Sequence, residues 1–274
     1  MATGLHAPFT VESIRAALTT QWLGRTLTLL PDVTSTNELA LAAAQSGSPD
    51  GAVIVADRQT AGRGRLARAW ESPAARNLYV SILIRRLPGG DRLGWLPLLA
   101  GTAAAAAIRI LTPLSPSLKW PNDLLVRSRK VGGILSESQG IGTGDACAVL
   151  GIGLNVNWLP EEMPPELTPI ATSLAAEMRT PVDRARLLAR LLIELEQRVD
   201  QWRAGDLAGL TEEYRTHCGT IGQRVRIDVG GGGQLEGTVT GIEPDGSLRL
   251  HSGSGPFAQD RLVHTGDVTH LRPA

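Results

Sequence analysis

The sequence predicts an α+β fold: a mixed β-sheet covered by helices, followed by a small C-terminal β-barrel. Three observations predict it. Helical and strand patterns alternate between Thr10 and Trp202, but hairpin-like strand pairs interrupt them, so a doubly wound parallel sheet is not expected. A proline-rich connector, LPEEMPPELTP (159–169), separates the last sheet strand from a long amphipathic helix. From Ile221 onward the texture changes to short strands between glycine turns, as in a compact barrel of domain-like size. The expected division is therefore a first domain over 1–218 and a second over 219–274.

Each element has its own signal. Residues 10–23 place Ile14, Leu18 and Trp22 on one helical face behind Thr10 as a cap. TLTLLPDV (26–33) reads as a strand. In STNELALAAAQSG (35–47), Ser35 and Glu38 have capping-box spacing and Gly47 supplies the stop. GAVIVAD (51–57) and NLYVSILI (77–84) are apolar strands, and WLPLLAGTAAAAAIRIL (95–111) is an apolar, alanine-rich helix that can lie close against a sheet. NDLLVR (122–127) and KVGGILSES (130–138) form a hairpin turning at 127–130, and CAVLGIGLNVN (147–157) is a strand of small residues. Thr180 is the expected cap and Pro181 the first-turn residue of a helix carrying Leu188, Leu191, Leu195, Val199 and Trp202 on one face. RVRIDV, QLEGTVTGI, SLRLHS and RLVHTGDVTHL are the barrel strands.

Bulk properties exclude several classes. Lys+Arg and Asp+Glu both total 27 in 274 residues, so no net basic field attracts nucleic acid. The barrel matches its arginines with acids and carries one aromatic, Phe257, so the stacking-plus-charge pattern of a nucleic-acid barrel is missing. Neither a signal pattern nor a membrane-length apolar run is present, and a cytoplasmic protein is expected. Cys147 and Cys218 are far apart, and no histidine pair has ligand spacing, so no protein-held metal is expected. Only two of the basic residues are lysine, Lys119 and Lys130, and both fall in LKWPNDLLVRSRKVGGIL (118–135). In an arginine-using chain, such lysines point to sites where a compact ammonium is needed.

The strongest chemical signal is IVADRQTAGRGRLARAW (54–70), where glycines alternate with Arg63, Arg65 and Arg68. GRGRLA formally fits the G-x-G-x-x-A dinucleotide pattern. Against that reading, DRQTA separates strand from glycine, no helix opens in the loop, and no acid follows at about twenty residues. No G-K-[ST] follows either, so it is not a P-loop. What remains is a basic loop whose arginines repel one another, expected to stay disordered until an incoming polyanion orders it.

STN (35–37), RQTAGRGR (58–65), KWPNDLL (119–125), KVGGIL (130–135) and GIGLNVN (151–157) together resemble the biotin protein ligases, in order and in spacing. The likeness covers nearly the whole chain, including TGDV (265–268), and is nearest to monofunctional bacterial ligases without the N-terminal winged-helix DNA-binding domain. It implies a class II synthetase-like catalytic domain with an SH3-like barrel, and a two-step reaction. The biotin carboxylate attacks the α-phosphate of ATP, giving biotinyl-5'-AMP and pyrophosphate. A lysine amine of a biotin carboxyl carrier domain then takes the biotinyl group and AMP leaves. The substrates implied are biotin and ATP, with Mg²⁺ carried by the nucleotide.

Carried over residue by residue, Ser35, Thr36, Asn37, Gln59, Gly62, Arg63, Gly64 and Arg65 would line the biotin site, with donors and acceptors suited to a ureido ring. Ser35 is also explained as a helix cap. Lys130 would follow the moving anion from carboxylate to adenylate, with Arg65 beside it, and Arg68 would add to the field. Asp123 would either orient Lys130 or receive the proton of the acceptor amine, which is mostly protonated at neutral pH. Lys119 and Asn122 belong to the same segment, which turn chemistry alone would also explain. Gly132 and Gly133 would let the adenylate lie against the sheet, Asn155 would bond the nucleotide, and Trp70 would cover the adenine or simply fill core. One departure stands out: the family's loop usually repeats glycine where this chain has Ala67.

A lipoate-type ligase of the same superfamily is the alternative, disfavoured by KWPND and GRGR occurring with this barrel. A biotin-responsive DNA-binding regulator needs a helix-turn-helix, for which the first 24 residues offer one helix. A nicotinamide-dependent reductase is the generic reading of G-x-G-x-x-A. Neither nucleic acid nor membrane is an expected partner; a monomer or weak homodimer is expected.

Overall fold

The computed structural model describes residues 8–89, 92–253 and 258–271. Phe257 lies outside them. The chain runs α1 (Val11–Ala17), β1 (Leu27–Val33), α2 (Thr36–Gln45), β2 (Val53–Gln59), β3 (Leu78–Ile84), α3 (Trp95–Leu111), β4 (Ser117–Lys119), β5 (Asp123–Val126), β6 (Arg129–Gln139) and β7 (Cys147–Leu154). It continues through α4 (Leu174–Met178), α5 (Arg184–Ala204) and α6 (Leu207–His217) into β8 (Arg224–Gly230), β9 (Gly233–Ile242), β10 (Leu248–Ser252), β11 (Gln259–Val263) and β12 (Asp267–His270).

Two sheets result, one on each side of the expected boundary. The first has order β1-β2-β3-β7-β6-β5-β4, and the second, the barrel sheet, has order β11-β10-β9-β8-β12. In the first, β1 and β2 are parallel and the remaining neighbours antiparallel. Such a mixed sheet follows from two helical connections, α2 joining the parallel pair β1–β2 and α3 carrying the chain from β3 to the far edge at β4, with hairpins from β4 back to β7. The β5–β6 hairpin turns at Arg127 and Ser128, both at positive φ, the two-residue geometry that matches strand twist.

The alanine run of α3 does what small residues permit. Ala103, Ala104, Ala105 and Ala107 are fully buried, and the helix lies on β6 and β7 with α5 packed on its other side. One hydrophobic cluster then continues from this layer into the barrel, through Trp95 and Trp120 to Val225, Ile227, Leu248 and Leu250. The indole N–H of Trp95 donates to the Pro244 carbonyl at 2.7 Å and that of Trp120 to Gly246 at 3.1 Å. These bonds satisfy the polar edge of each ring while the rest fills core.

Four sequence expectations need correction. The first helix ends at Ala17, so Leu18 and Trp22 are not on it; Thr10 does cap it, with Ser13. The cause is tertiary: Gln21, Trp22 and Leu23 give their backbone N–H groups to the Glu196 carboxylate of α5 at 2.8–3.0 Å. Ser35 occupies the N-cap position of α2 without bonding there, and Glu38 reaches Thr34 instead. Asp183, not Thr180, caps α5, and Pro181 precedes the helix. RLVHTGDVTHL is two strands, β11 and β12, rather than one.

Candidate functional site

The end of β2, the start of α2 and the middles of β6 and β7 meet in a cleft. Its floor is polar and internally bonded. Gln59 Oε1 accepts from the Thr36 backbone N–H at 2.9 Å and from its hydroxyl at 3.1 Å, while Gln59 Nε2 donates to Ser72. Ser81 donates to Asn37 Oδ1 at 2.6 Å, and Asn37 Nδ2 donates to Glu137 at 2.7 Å. The strands pass beneath with glycines at 133, 151 and 153 among the lining positions. A Cβ on Gly151 would stand 2.2 Å from Asn37 Oδ1, so only glycine admits this floor.

The glycine-arginine loop closes over the floor as a folded strap. Trp70 N–H donates to Gly62 O at 2.9 Å and Gly64 N–H to Arg68 O at 2.8 Å, with Leu66 and Ala67 at positive φ between them. A Cβ on Gly62 would meet Trp70 O at 2.5 Å, which explains that glycine as part of the strap's own turn. Disorder was expected here. Protein acceptors instead hold each of the three guanidinium groups, which offsets the mutual repulsion on which that expectation rested; Arg68 still acts on Arg65 as a like charge. Arg63 lies 3.4 Å from Glu38 and 3.7 Å from Glu137. Arg65 donates to Asn122 Oδ1 at 3.2 Å, Gly266 O at 3.0 Å and Thr265 Oγ1 at 2.9 Å. Arg68 pairs with Asp267 of the barrel.

Trp70 closes the strap. Its indole lies against Gly133 and Gly153, where added Cβ atoms would come within 3.1 and 2.6 Å of the ring, and its buried N–H has no partner. Beside it, Lys130 Nζ stands 5.3 Å from the ring centroid and 2.6 Å from Asp123 Oδ1. That oxygen makes no well-directed hydrogen bond, so the Lys130–Asp123 contact is chiefly one of charge. The Lys130 backbone is clamped by Ile170 O at 2.8 Å and Thr172 N at 2.9 Å, so the ammonium projects from a fixed point. Burial pulls the Arg65 guanidinium below its ordinary value, with Asp267 and Asp123 pulling it back; bonding to Asp267 raises that of Arg68. A cation stripped of water yet still charged gains most from an arriving anion.

The cleft, a cavity of about 50 Å³, thus brings together Ser35, Thr36, Asn37, Gln59, Arg63, Gly64, Arg65, Trp70, Asn122, Lys130 and Gly133. Asp123 reaches it through Lys130. Five expected residues are placed elsewhere, Gly62 in the strap's own turn among them. Arg68 faces the barrel; Lys119, on β4, lies close enough to His270 to help burial push that imidazole down. Asn155 gives its amide to Thr172 O at 3.0 Å, and a Cβ on Gly132 would strike Leu154 at 2.5 Å. Tyr79, Ser72, Ser81 and Glu137 join the site without having been anticipated. Strand alternation could have found Glu137, which shares a face with Gly133 and Leu135. A larger cavity of about 650 Å³ lies near the start of α5, lined by Phe9, Leu159, Val182 and Arg184 and by none of the expected residues. Among the described residues, no group of three or more His, Cys, Asp or Glu could hold a metal ion, and no helix is long and apolar enough to cross a membrane.

Comparison with known proteins agrees with this geometry. Residues 29–155 match the Biotin/lipoate A/B protein ligase family and residues 220–271 the Biotin protein ligase C terminal domain. A Biotin--[acetyl-CoA-carboxylase] ligase of Mycobacterium tuberculosis is 39% identical over 274 residues, 98% of each chain. The Bifunctional ligase/repressor BirA of Bacillus subtilis is 32% identical over 89% of this chain and 75% of its own length. The solved biotin protein ligase of Aquifex aeolicus in complex with biotin and ATP superposes with a TM-score of 0.77 and 28% identity, over 90% of this chain and all of that one. The chain belongs to the biotin protein ligase family.

Proposed function

We propose that the cleft activates biotin with ATP to biotinyl-5'-AMP and then transfers the biotinyl group to one lysine of a biotin carboxyl carrier domain. The observation that carries this reading is the convergence of Lys130, Arg63 and Arg65 on a floor of Thr36, Asn37 and Gln59. A donor–acceptor floor suits a ureido ring, and the cations suit a carboxylate meeting a phosphate. Thr36, Asn37 and Gln59 hold the ring by exchanging some of their mutual bonds for bonds to it, with Ser35 beside them. The bare backbone at Gly133 and Gly153 takes the flat part of the adenylate, and Trp70 moves from that backbone to cover the adenine.

Lys130 and Arg65 then offset the repulsion between carboxylate and α-phosphate. A well-placed donor of this kind contributes about 3 kcal/mol to the transition state. The proximity of Asp123 to Lys130 supports an orienting role for the carboxylate. The same carboxylate is positioned to accept the proton that the acceptor amine loses as it attacks. Mg²⁺ would enter with ATP as the Mg-ATP substrate, carried by the nucleotide's phosphates. The name of the Mycobacterium tuberculosis relative supports the carrier domain of an acetyl-CoA carboxylase as the acceptor, with a cytoplasmic setting as the accompanying expectation.

Purified protein mixed with biotin and Mg-ATP should release pyrophosphate, and addition of a carrier domain should give one biotinyl group by intact mass. Lys130→Ala should release none while unfolding at the wild-type temperature. Equal pyrophosphate release with lipoate in place of biotin would overturn the substrate assignment.

A further inference from the structure

The Arg68 side chain of the strap is directed away from the cleft. Arg65 lines the cavity, whereas Arg68, three residues on, is paired with Asp267 at the start of β12. The barrel offers this cation more than one carboxylate. Asp267 stands directly opposite Asp228 in the β8–β12 register; the Arg68 charge is favoured most by Asp267, which bonds it, and less by Asp123 beside the cleft and by Asp228. Two like charges facing each other across a ladder oppose strand pairing unless a cation lies between them. The adjoining Thr265 hydroxyl and Gly266 carbonyl, in the same turn, receive Arg65. One barrel turn therefore takes hold of the strap at two points, by a carboxylate and by neutral acceptors.

We propose that Arg68 and Asp267 are a positioning pair that anchors the strap to the barrel, so that Arg65 is presented to the nucleotide phosphates, and that Arg68 is not itself a phosphate ligand. The inference rests on the ligase reading of the cleft and gives the barrel a task in the first step. An exposed ion pair contributes little to global stability. Its effect appears instead in how often the strap is docked when ATP arrives, and thus in KM for ATP rather than in kcat.

A charge exchange separates an anchor from a ligand. The assay is pyrophosphate release with biotin at saturation, with unfolding temperature recorded for every variant. Arg68→Asp and Asp267→Arg alone should each raise KM for ATP about tenfold or more, leaving kcat within about twofold. Combined in one chain, the two changes rebuild the pair in reverse, and KM should return to within about threefold of wild type. Asp267→Asn should give an intermediate rise that Asp267→Glu largely restores. If the exchanged chain stays as impaired as Arg68→Asp alone while folding normally, Arg68 touches the phosphates and the proposal fails. A fall in kcat and unfolding temperature together, unrelieved by exchange, would make the pair merely structural and also overturn it. Absence of pyrophosphate from the wild-type chain would instead reject the ligase reading itself.

Discussion

The structure treats Trp70, in the strap, and Trp120, in the core, in opposite ways. Trp120 is 1% exposed, and both its backbone N–H and its indole N–H are bonded across to barrel residues, Thr220 and Gly246. Trp70 lies on bare strand backbone with its buried indole N–H unpaired. A buried donor without an acceptor costs roughly 1–3 kcal/mol, which opposes what the second ring gains by packing on the strands and beside Lys130. One tryptophan is a rivet between domains; the other, on the function proposed above, is a movable cover.

The largest effect that tests this contrast is on stability. Trp120→Ala should lower the free energy of unfolding by about 3–5 kcal/mol in a urea titration, since it opens a cavity at the junction of the two sheets. Trp70→Ala should cost no more than about 1 kcal/mol in the same titration, because its departure also relieves an unpaired donor. Equal losses would erase the distinction.

The glycines beneath the two kinds of neighbour sharpen it. Gly151→Ala drives a methyl group into Asn37, which Ser81 and Glu137 hold in place, so the floor must yield. Overpacking of this sort costs about 1–3 kcal/mol, which should appear as a fivefold or greater loss of biotin affinity by calorimetry. Gly153→Ala meets the Trp70 ring first and should leave biotin affinity within about twofold. A smaller effect follows for Trp70→Ala on the nucleotide: loss of one base–aromatic stack, about 1–3 kcal/mol, raises KM for ATP with little change for biotin.

Much of the fold was legible in the sequence where local chemistry and tertiary need agreed. The alanine run of α3 appears over the expected residues, as does the β5–β6 hairpin, because their small residues and turn positions are determined locally. The first helix was overextended, since its continuing apolar period gives no sign of a glutamate 175 residues away collecting the backbone donors of the next turn. The short β4 and α4, and the helix α6, were not anticipated. β4 and α4 have only 3 and 5 residues, too few for a period to declare itself. At the site, residues grouped in motifs were readable as chemistry, but direction was not. Arg63, Arg65 and Arg68 look equivalent in sequence, and only the barrel acids and the α2 and β6 glutamates sort them into different neighbourhoods. Ser72 and Ser81 are single hydroxyls in apolar or loop sequence. Their part emerges only when β3 is paired with its neighbours and Gln59 and Asn37 come within reach.

The smallest expected effect concerns the strap that carries the movable ring. Leu66 and Ala67 both have left-handed backbone, φ 55 and 57, a conformation that costs a residue with a Cβ roughly 1–2 kcal/mol. Ala67→Gly removes that cost in the docked strap, but it also widens the range open to the undocked strap, which opposes the gain by about 0.4–1 kcal/mol. The first term is the larger, so docking should become favoured by a few tenths to 1 kcal/mol. KM for ATP should then fall about two- to fivefold, and tryptic cleavage after Arg65 and Arg68, followed by mass, should slow by a similar factor. Faster cleavage would mean that chain entropy outweighs the strain at Ala67. The strap would then owe its folded shape to the acceptors around its arginines alone, and the contrast between fixed and movable tryptophans would no longer depend on the backbone between them.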